Sequence, residues 1–368
     1  EQYDKAEIDY TKAIELDPKN SDFYQNRGYM YSYLEKYDKA EIDFNKAIEL
    51  DPKDSDAYHN RGYLYAMLEQ YDKSEADFTK AIELDPDLLS YHNRANLYKE
   101  LKQYDLAEID YTKAIELYPK DPEAYYERGS FYYYDLDQYD KAEADLTKSI
   151  ELAPKDPAAF HNRGRLYYDL DQYDKAEADF TKAIELDPEP LSFLRRGILF
   201  VKSSNFQLAL NDYNKVIELL DDKETDGYFY RAKFYIHFNK YEEALSDYKK
   251  AAKIDPKDPE SYYHSGLIYY TQQKYLRAIN MFTTTINKLN DFGFREGMLS
   301  DNAYYVSDPG FDVFVSSTDD IIPEQQLIKV LLKRGEAYSK IKEIELMCED
   351  YKKACDLGDC EMFNMHCK

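Results

Sequence analysis

Tyr37-Asp38-Lys39-Ala40-Glu41-Ile42-Asp43-Phe44-Asn45-Lys46-Ala47-Ile48-Glu49-Leu50-Asp51-Pro52 decides the fold, because it is one copy of a unit that recurs along the chain. Its first six residues also stand at Tyr3 to Ile8, and close copies begin at Tyr71, Tyr104, Tyr139 and Tyr173. The prolines that close the copies set the period. Pro18, Pro52 and Pro86 are 34 residues apart, as are Pro154 and Pro188, and Pro188 to Pro256 spans two such steps. A fixed period of this size implies a solenoid, in which no single unit buries its own core.

A unit numbered so that its small residue falls at position 8 aligns Gly28, Gly62, Ala95, Gly129, Gly164, Gly197, Ala232, Gly266 and Gly335. Position 4 is then aromatic (Tyr24, Tyr58, Tyr91, Tyr125), as is position 11 (Tyr31, Tyr65, Tyr98, Tyr132). Positions 4, 8 and 11 share one helical face, with two aromatic plates around a residue small enough for close approach. A second helix carries Ala40, Phe44 and Ala47 as its buried stripe. Its opening Asp-x-x-Glu, as in Asp38 with Glu41 and Asp72 with Glu75, predicts a capping box. The closing Asp-Pro ends it, since proline lacks the amide donor. Each unit is a helical hairpin.

This pattern resembles the tetratricopeptide repeat over nearly all of residues 1–289 and again from about 326, with Tyr or Phe where the family has Trp. The resemblance implies an all-α, right-handed superhelical solenoid of antiparallel helix pairs that acts as a non-enzymatic protein-interaction scaffold. The expected organisation is a repeat array over 1–289 with a partial first repeat, an irregular insertion over 290–325, and a degenerate terminal repeat over 326–368. Units of 33 and 35 residues place small length changes in turns. Asp308-Pro309-Gly310 suits a turn, so a short β-hairpin is expected near 304–316. Asp301, Asp308, Asp312, Asp319 and Asp320 do not follow the calcium-loop ligand order and are read as a solvated surface.

The net charge of −25 opposes direct binding to nucleic acid or anionic membrane. No apolar run reaches the ~20 residues of a membrane-inserted helix. Glu1 falls inside a repeat, so the chain is expected to be a fragment. No nucleophile and base pair, phosphate loop or metalloprotease motif emerges, and no cofactor is implied. The sequence carries no signal for oligomeric state.

Comparing copies separates scaffold from site. Position 7 holds Arg27, Arg61, Arg94, Arg128 and Arg163, and position 23 holds Asp43, Asp77, Asp110, Asp145 and Asp179; in the Gly266 unit both charges vanish together, leaving Ser265 and Met281. These are read as structural ion pairs, because an unpaired charge beside the core is costly. Position 6 holds Asn26, Asn60, Asn93 and Asn162, interrupted by Glu127. An amide donates and accepts, so such a row can hold a peptide backbone of any sequence, or bond neighbouring helices. The row resembles that lining the repeat arm of O-GlcNAc transferase.

Position 5 holds Gln25, His59, His92, Tyr126 and His161, read as stacking groups for the same peptide. It lacks the lysine of repeats that clamp acidic chaperone tails, and its histidines are too dispersed to share a metal ion. Cys348, Cys355, Cys360 and Cys367 cluster at the end. Pairing of 355 with 360 and of 348 with 367 would staple a hairpin turning at Leu357-Gly358; four free thiols are the alternative. The segment resembles helix ends of Sel1-like repeats, with Phe363 where they have Cys. Reduced thiols fit a cytoplasmic protein, the setting favoured, and bonded ones an exported, redox-responsive one. A substrate-recruiting arm of a larger enzyme is a further reading.

Overall fold

The computed structural model describes residues 2–220, 224–292 and 323–368, and the hairpin expected near 304–316 lies outside them. The chain forms two units, 1–186 and 187–368. In the first, α1 (Gln2–Leu16) precedes five hairpins: α2 (Ser21–Tyr33) with α3 (Tyr37–Leu50), α4 (Ser55–Met67) with α5 (Tyr71–Leu84), α6 (Leu88–Glu100) with α7 (Tyr104–Leu117), α8 (Pro122–Tyr134) with α9 (Tyr139–Leu152), and α10 (Pro157–Asp169) with α11 (Tyr173–Leu186). The second pairs α12 (Pro190–Lys202) with α13 (Phe206–Leu219), α14 (Asp226–His237) with α15 (Tyr241–Ile254), α16 (Glu260–Thr271) with α17 (Tyr275–Phe292), and α18 (Pro323–Lys340) with α19 (Ile344–Asp356), ending in α20 (Glu361–His366). In each unit every helix packs on the next, the arrangement of an α-solenoid.

The small residue sits where two helices touch. A Cβ on Gly62 would approach the Phe78 ring to 3.0 Å, and one on Gly28 would approach Phe44 to 2.9 Å. Ala40, Ala47, Phe44 and Phe78 are fully buried on the facing helices.

Capping departs from the sequence expectation. The second helices begin one residue before the Asp, with Lys36, Gln70, Gln103 and Gln138 as N-caps that make no side-chain cap bond. The turn before each is closed by a residue in left-handed conformation, Glu35, Glu69, Lys102, Asp137 and Asp171 at φ of 51° to 57°. The helix therefore starts earlier, and Asp38 or Asp72 lies inside its first turn, where the helix dipole favours an acid. Side-chain caps occur instead on the first helices, where Asn20, Asp54, Asp121 and Asp156 accept from the amide two residues on.

Glu41 is thereby released from capping, and it ties repeats together. Tyr65 Oη donates to Glu41 Oε1 at 2.8 Å, one repeat back, while Lys73 lies 4.8 Å from the Tyr65 ring centre. Tyr31 with Glu7, Tyr98 with Glu75, Tyr132 with Glu108 and Tyr167 with Glu143 repeat the bond. The Tyr31 hydroxyl, then Lys36 and Lys39, hold the Glu7 carboxyl down at about 2.

The position 7 arginines form a second set of ties. Arg61 Nε and Nη2 donate to both oxygens of Asp77 at 2.7 Å, and Nη1 reaches Asn45 of the preceding second helix at 2.6 Å. Arg27 joins Asp43 and Thr11, Arg94 joins Asp110 and Thr79, Arg128 joins Asp145 and Thr112, and Arg163 joins Asp179 and Thr147 in the same way. Each of these guanidinium groups bonds two other helices and so ties three together. In the second unit Arg334 joins Asp350 at 2.8 Å and Thr283 at 2.9 Å, so α18 stacks on α17 with the bonding of consecutive repeats.

Cys348 is bonded to Cys367 and Cys355 to Cys360, holding α20 against α19. Gly358, at φ 120°, makes the intervening turn.

Two measurements follow from these ties. Asp77 is 8% and Arg61 19% exposed at the side chain, so Asp77→Ala leaves a largely buried cation and is expected to cost about 3 kcal/mol in denaturant unfolding. Arg61→Met combined with it should cost less than the sum, with a coupling of about 1–3 kcal/mol. Reduction is expected to destabilise the terminal unit by about 3 kcal/mol, read as lost hydrogen-exchange protection in α19 and α20.

Candidate functional site

First-helix positions 2, 6, 9 and 13 follow helical spacing and form one stripe. Position 6 lies on the side where neighbouring first helices meet, since Asn162 Nδ2 donates to Tyr126 Oη and Ser130 Oγ of α8 at 3.1 and 3.0 Å. Its Oδ1 accepts from Tyr134 Oη at 3.1 Å. Asn162 is buried and fully bonded, so its amide is committed to the α8–α10 contact rather than offered to a ligand. Arg165 Nη1 donates to the same Tyr134 hydroxyl at 2.8 Å, and Tyr133 Oη bonds Asp169.

The other amides differ in turn. Asn93 Nδ2 donates to His59 Nε2 at 3.2 Å, which leaves the His59 proton on Nδ1 to be donated to Ser90 Oγ at 2.9 Å. Burial lowers the His59 pKa, against the pull of Asp87 and Asp56. Asn60 is half-buried and Asn26 exposed, and neither amide bonds another described side chain. The row is therefore open at α4, engaged at α6 and closed at α10, and Asn26 on α2 has no first helix before it among the described residues.

Position 5 is the floor of this face. His59, His92 and His161 pack their rings at 5.6, 6.2 and 5.8 Å from Phe78, Tyr111 and Phe180 of their own second helices. Gln25 donates to Asp54 at 3.4 Å, His92 Nε2 lies 3.3 Å from Glu127, and Tyr126 accepts from Asn162. These side chains contact neighbouring repeats more than they face outward.

Sequence reasoning passed over positions 9 and 13, where the exposed aromatic surface lies. Tyr29 is 64%, Tyr33 67%, Tyr63 51% and Met67 46% exposed. Their signal was present: they share the amide stripe at helical spacing.

Residues 21–54, 55–88, 89–121 and 157–190 match a family model described as Tetratricopeptide repeat; related models of the same description match 1–20 and 110–144, and one described as TPR repeat matches 235–273. The chain belongs to the tetratricopeptide-repeat family. Tetratricopeptide-repeat chains are interaction scaffolds and in general non-catalytic. A search of curated proteins returns no match. Among solved structures, the C-terminal part of a TPR repeat-containing protein from Cytophaga hutchinsonii is 22% identical over 66% of this chain and 96% of its own, with a TM-score of 0.51, and shows the fold. A tetratricopeptide repeat protein from Parabacteroides merdae is 24% identical over 64% and 93%, with a TM-score of 0.49. YrrB, described as a TPR protein with an unusual peptide-binding site, is 27% identical over 50% and 94%, with a TM-score of 0.39.

The second unit of this tetratricopeptide-repeat chain carries a different stripe. Position 6 holds Arg195, Tyr230 and His264, and Lys233 and Glu260 stand at positions 9 and 2 of neighbouring first helices. His264 is buried, stacked 5.4 Å from the Tyr248 ring. Burial raises the Glu260 carboxyl to about 7, against the pull of Lys233 and with Asp258 and Asp226 adding to the rise. Burial likewise lowers Lys233. Among the described residues, no group of three or more His, Cys, Asp or Glu is placed to hold a metal ion, and no helix is long and apolar enough to cross a membrane.

A raised carboxyl pKa favours folding while the acid is protonated, so this contribution is full below 4.5 and is lost as pH rises through about 7. Glu260→Gln is expected to flatten the pH dependence of stability across that window, measured by urea unfolding at a series of pH values.

Proposed function

We propose that the chain is a non-enzymatic scaffold that holds an extended peptide along the first-helix stripe of its first unit. The observation that carries this reading is the pairing of unspent amides with exposed rings: Asn26 beside Tyr29 and Tyr33 on α2, and Asn60 beside Tyr63 and Met67 on α4. The amides can hold backbone, and flat apolar rings cover a ligand at little entropic cost. Asn93 can join by exchanging its bond to His59, and the position 5 rings form the base beneath the chain. The charge of −25 leaves protein or peptide, rather than nucleic acid, as partner.

In this reading, residues 1–289 form the binding array, 290–325 an insertion and 326–368 a terminal repeat. The two disulfides favour a second reading of its setting, an exported protein, since such bonds persist in oxidising compartments.

Selection from a random peptide display library tests the binding reading. Selected peptides are expected to weaken at least about fivefold on Asn26→Ala with Asn60→Ala, from about 0.5–1.5 kcal/mol per lost hydrogen bond, with the melting temperature unchanged. Affinity indifferent to that double variant would reject the amide groove.

A further inference from the structure

We propose that the α2–α4 face takes a cationic segment, one with arginine at about every third residue. This rests on the reading above and names the chemistry of its partner.

Three observations on the two helices converge. Each presents the same order along its stripe: a carboxylate, an amide, a tyrosine and a second large side chain, in Asp22, Asn26, Tyr29 and Tyr33 and in Asp56, Asn60, Tyr63 and Met67. Asp22 and Asp56 are exposed and form no ion pair with a described residue. Neither helix contains lysine, and the one arginine of each, Arg27 and Arg61, is held on both oxygens of Asp43 and Asp77. The face therefore offers uncompensated negative charge beside exposed rings and has no cation of its own with which to attract an acidic partner.

Arginine fits that combination better than lysine. Its planar guanidinium can stack on Tyr29 or Tyr63 or bond Asp22 or Asp56 in a fork, two kinds of site about 10 Å apart along each helix, whereas an ammonium acts as a strongly hydrated point charge. The chain already uses this contact internally, with Arg61 5.7 Å from the ring centres of both Tyr58 and Tyr65. The remaining first helices of the unit are less suited. On α10 the stripe carries Arg165, bonded to Tyr134, and on α6 Lys99 stands beside Glu100.

The spacing follows from geometry. Packed neighbouring helices lie about 8–10 Å apart, and a polyproline II chain advances about 3.1 Å per residue with three residues per turn, so its residues i and i+3 face the same side. Crossing from the α2 stripe to the α4 stripe thus takes about three residues, so side chains at i and i+3 meet equivalent groups.

Fluorescence anisotropy on the whole chain with labelled twelve-residue peptides tests the proposal. The peptides carry two arginines three apart, two adjacent arginines, two lysines three apart, or two glutamates three apart, in one neutral background. The first is expected to bind most tightly, to weaken with added salt, and to lose about fivefold on Asp22→Asn and again on Tyr63→Ser, with folding confirmed by thermal melts. Binding of the glutamate peptide as tight as that of the arginine peptide would overturn the cationic assignment. So would arginine-peptide affinity that ignores Asp22→Asn and Tyr63→Ser. Either result leaves the scaffold reading standing if library-selected peptides still depend on Asn26 and Asn60. If no library peptide binds and none of the four peptides binds, both readings fall.

Discussion

Arg27, Arg61, Arg94, Arg128, Arg163, Arg231 and Arg334, at the seventh position of their repeats, are each bonded to their own second helix and to the second helix before it. In each, that one group fixes both the hairpin angle, through the paired bonds to Asp77 and its counterparts, and the stacking of hairpins, through Nη1 on Asn45, Thr79 or Thr112. Charge placed beside a core is costly unless it is paired and hydrogen-bonded. Here the carboxylate, the hydroxyl or amide, and two flanking aromatic faces meet that condition in unit after unit. Where the pair is missing, Ser265 Oγ turns back onto the Ser261 carbonyl, and no buried charge is left behind.

Because stacking is secured on the second-helix side by the arginines and by the Tyr65–Glu41 type of bond, the first-helix stripe carries less of the structural load. It has been used differently along the first unit. Between α8 and α10 it is filled by Asn162, Tyr126, Ser130 and Tyr134 bonded to one another. Between α2 and α4, Tyr29 and Tyr33 stand at the places of Ser130 and Tyr134 and reach into solvent. Affinity for a partner and rigidity of the scaffold thus trade against each other at the same repeat positions.

Much of this was readable in the sequence because the chain contains its own alignment. The period, the aromatic plates around Gly62 and the joint loss at Ser265 and Met281 each follow from comparing copies. The start of the second helix was not readable from the Asp-x-x-Glu pattern, because the turn is set by a left-handed backbone at Glu69 or Lys102, residues whose side chains give no sign of it. The fate of the asparagines was also hidden. Asn60 and Asn162 are the same residue at the same position, yet Asn162 bonds Tyr126 and Ser130 across the first-helix contact while Asn60 bonds no described side chain. Positions 9 and 13 went unread because they vary, and internal comparison rewards what repeats.

The bond from Arg334 to Thr283 has a consequence for how the chain can change over generations. Repeat stacking resumes at α18 as though α17 had just ended, so any chain joining Phe292 to Pro323 is anchored at two fixed points of a finished lattice. Lengthening such a connection costs only about 0.6 kcal/mol per doubling. The Arg334–Thr283 bond thus closes over a sequence separation of 51 residues, so the lattice keeps its bonding without keeping a fixed repeat step.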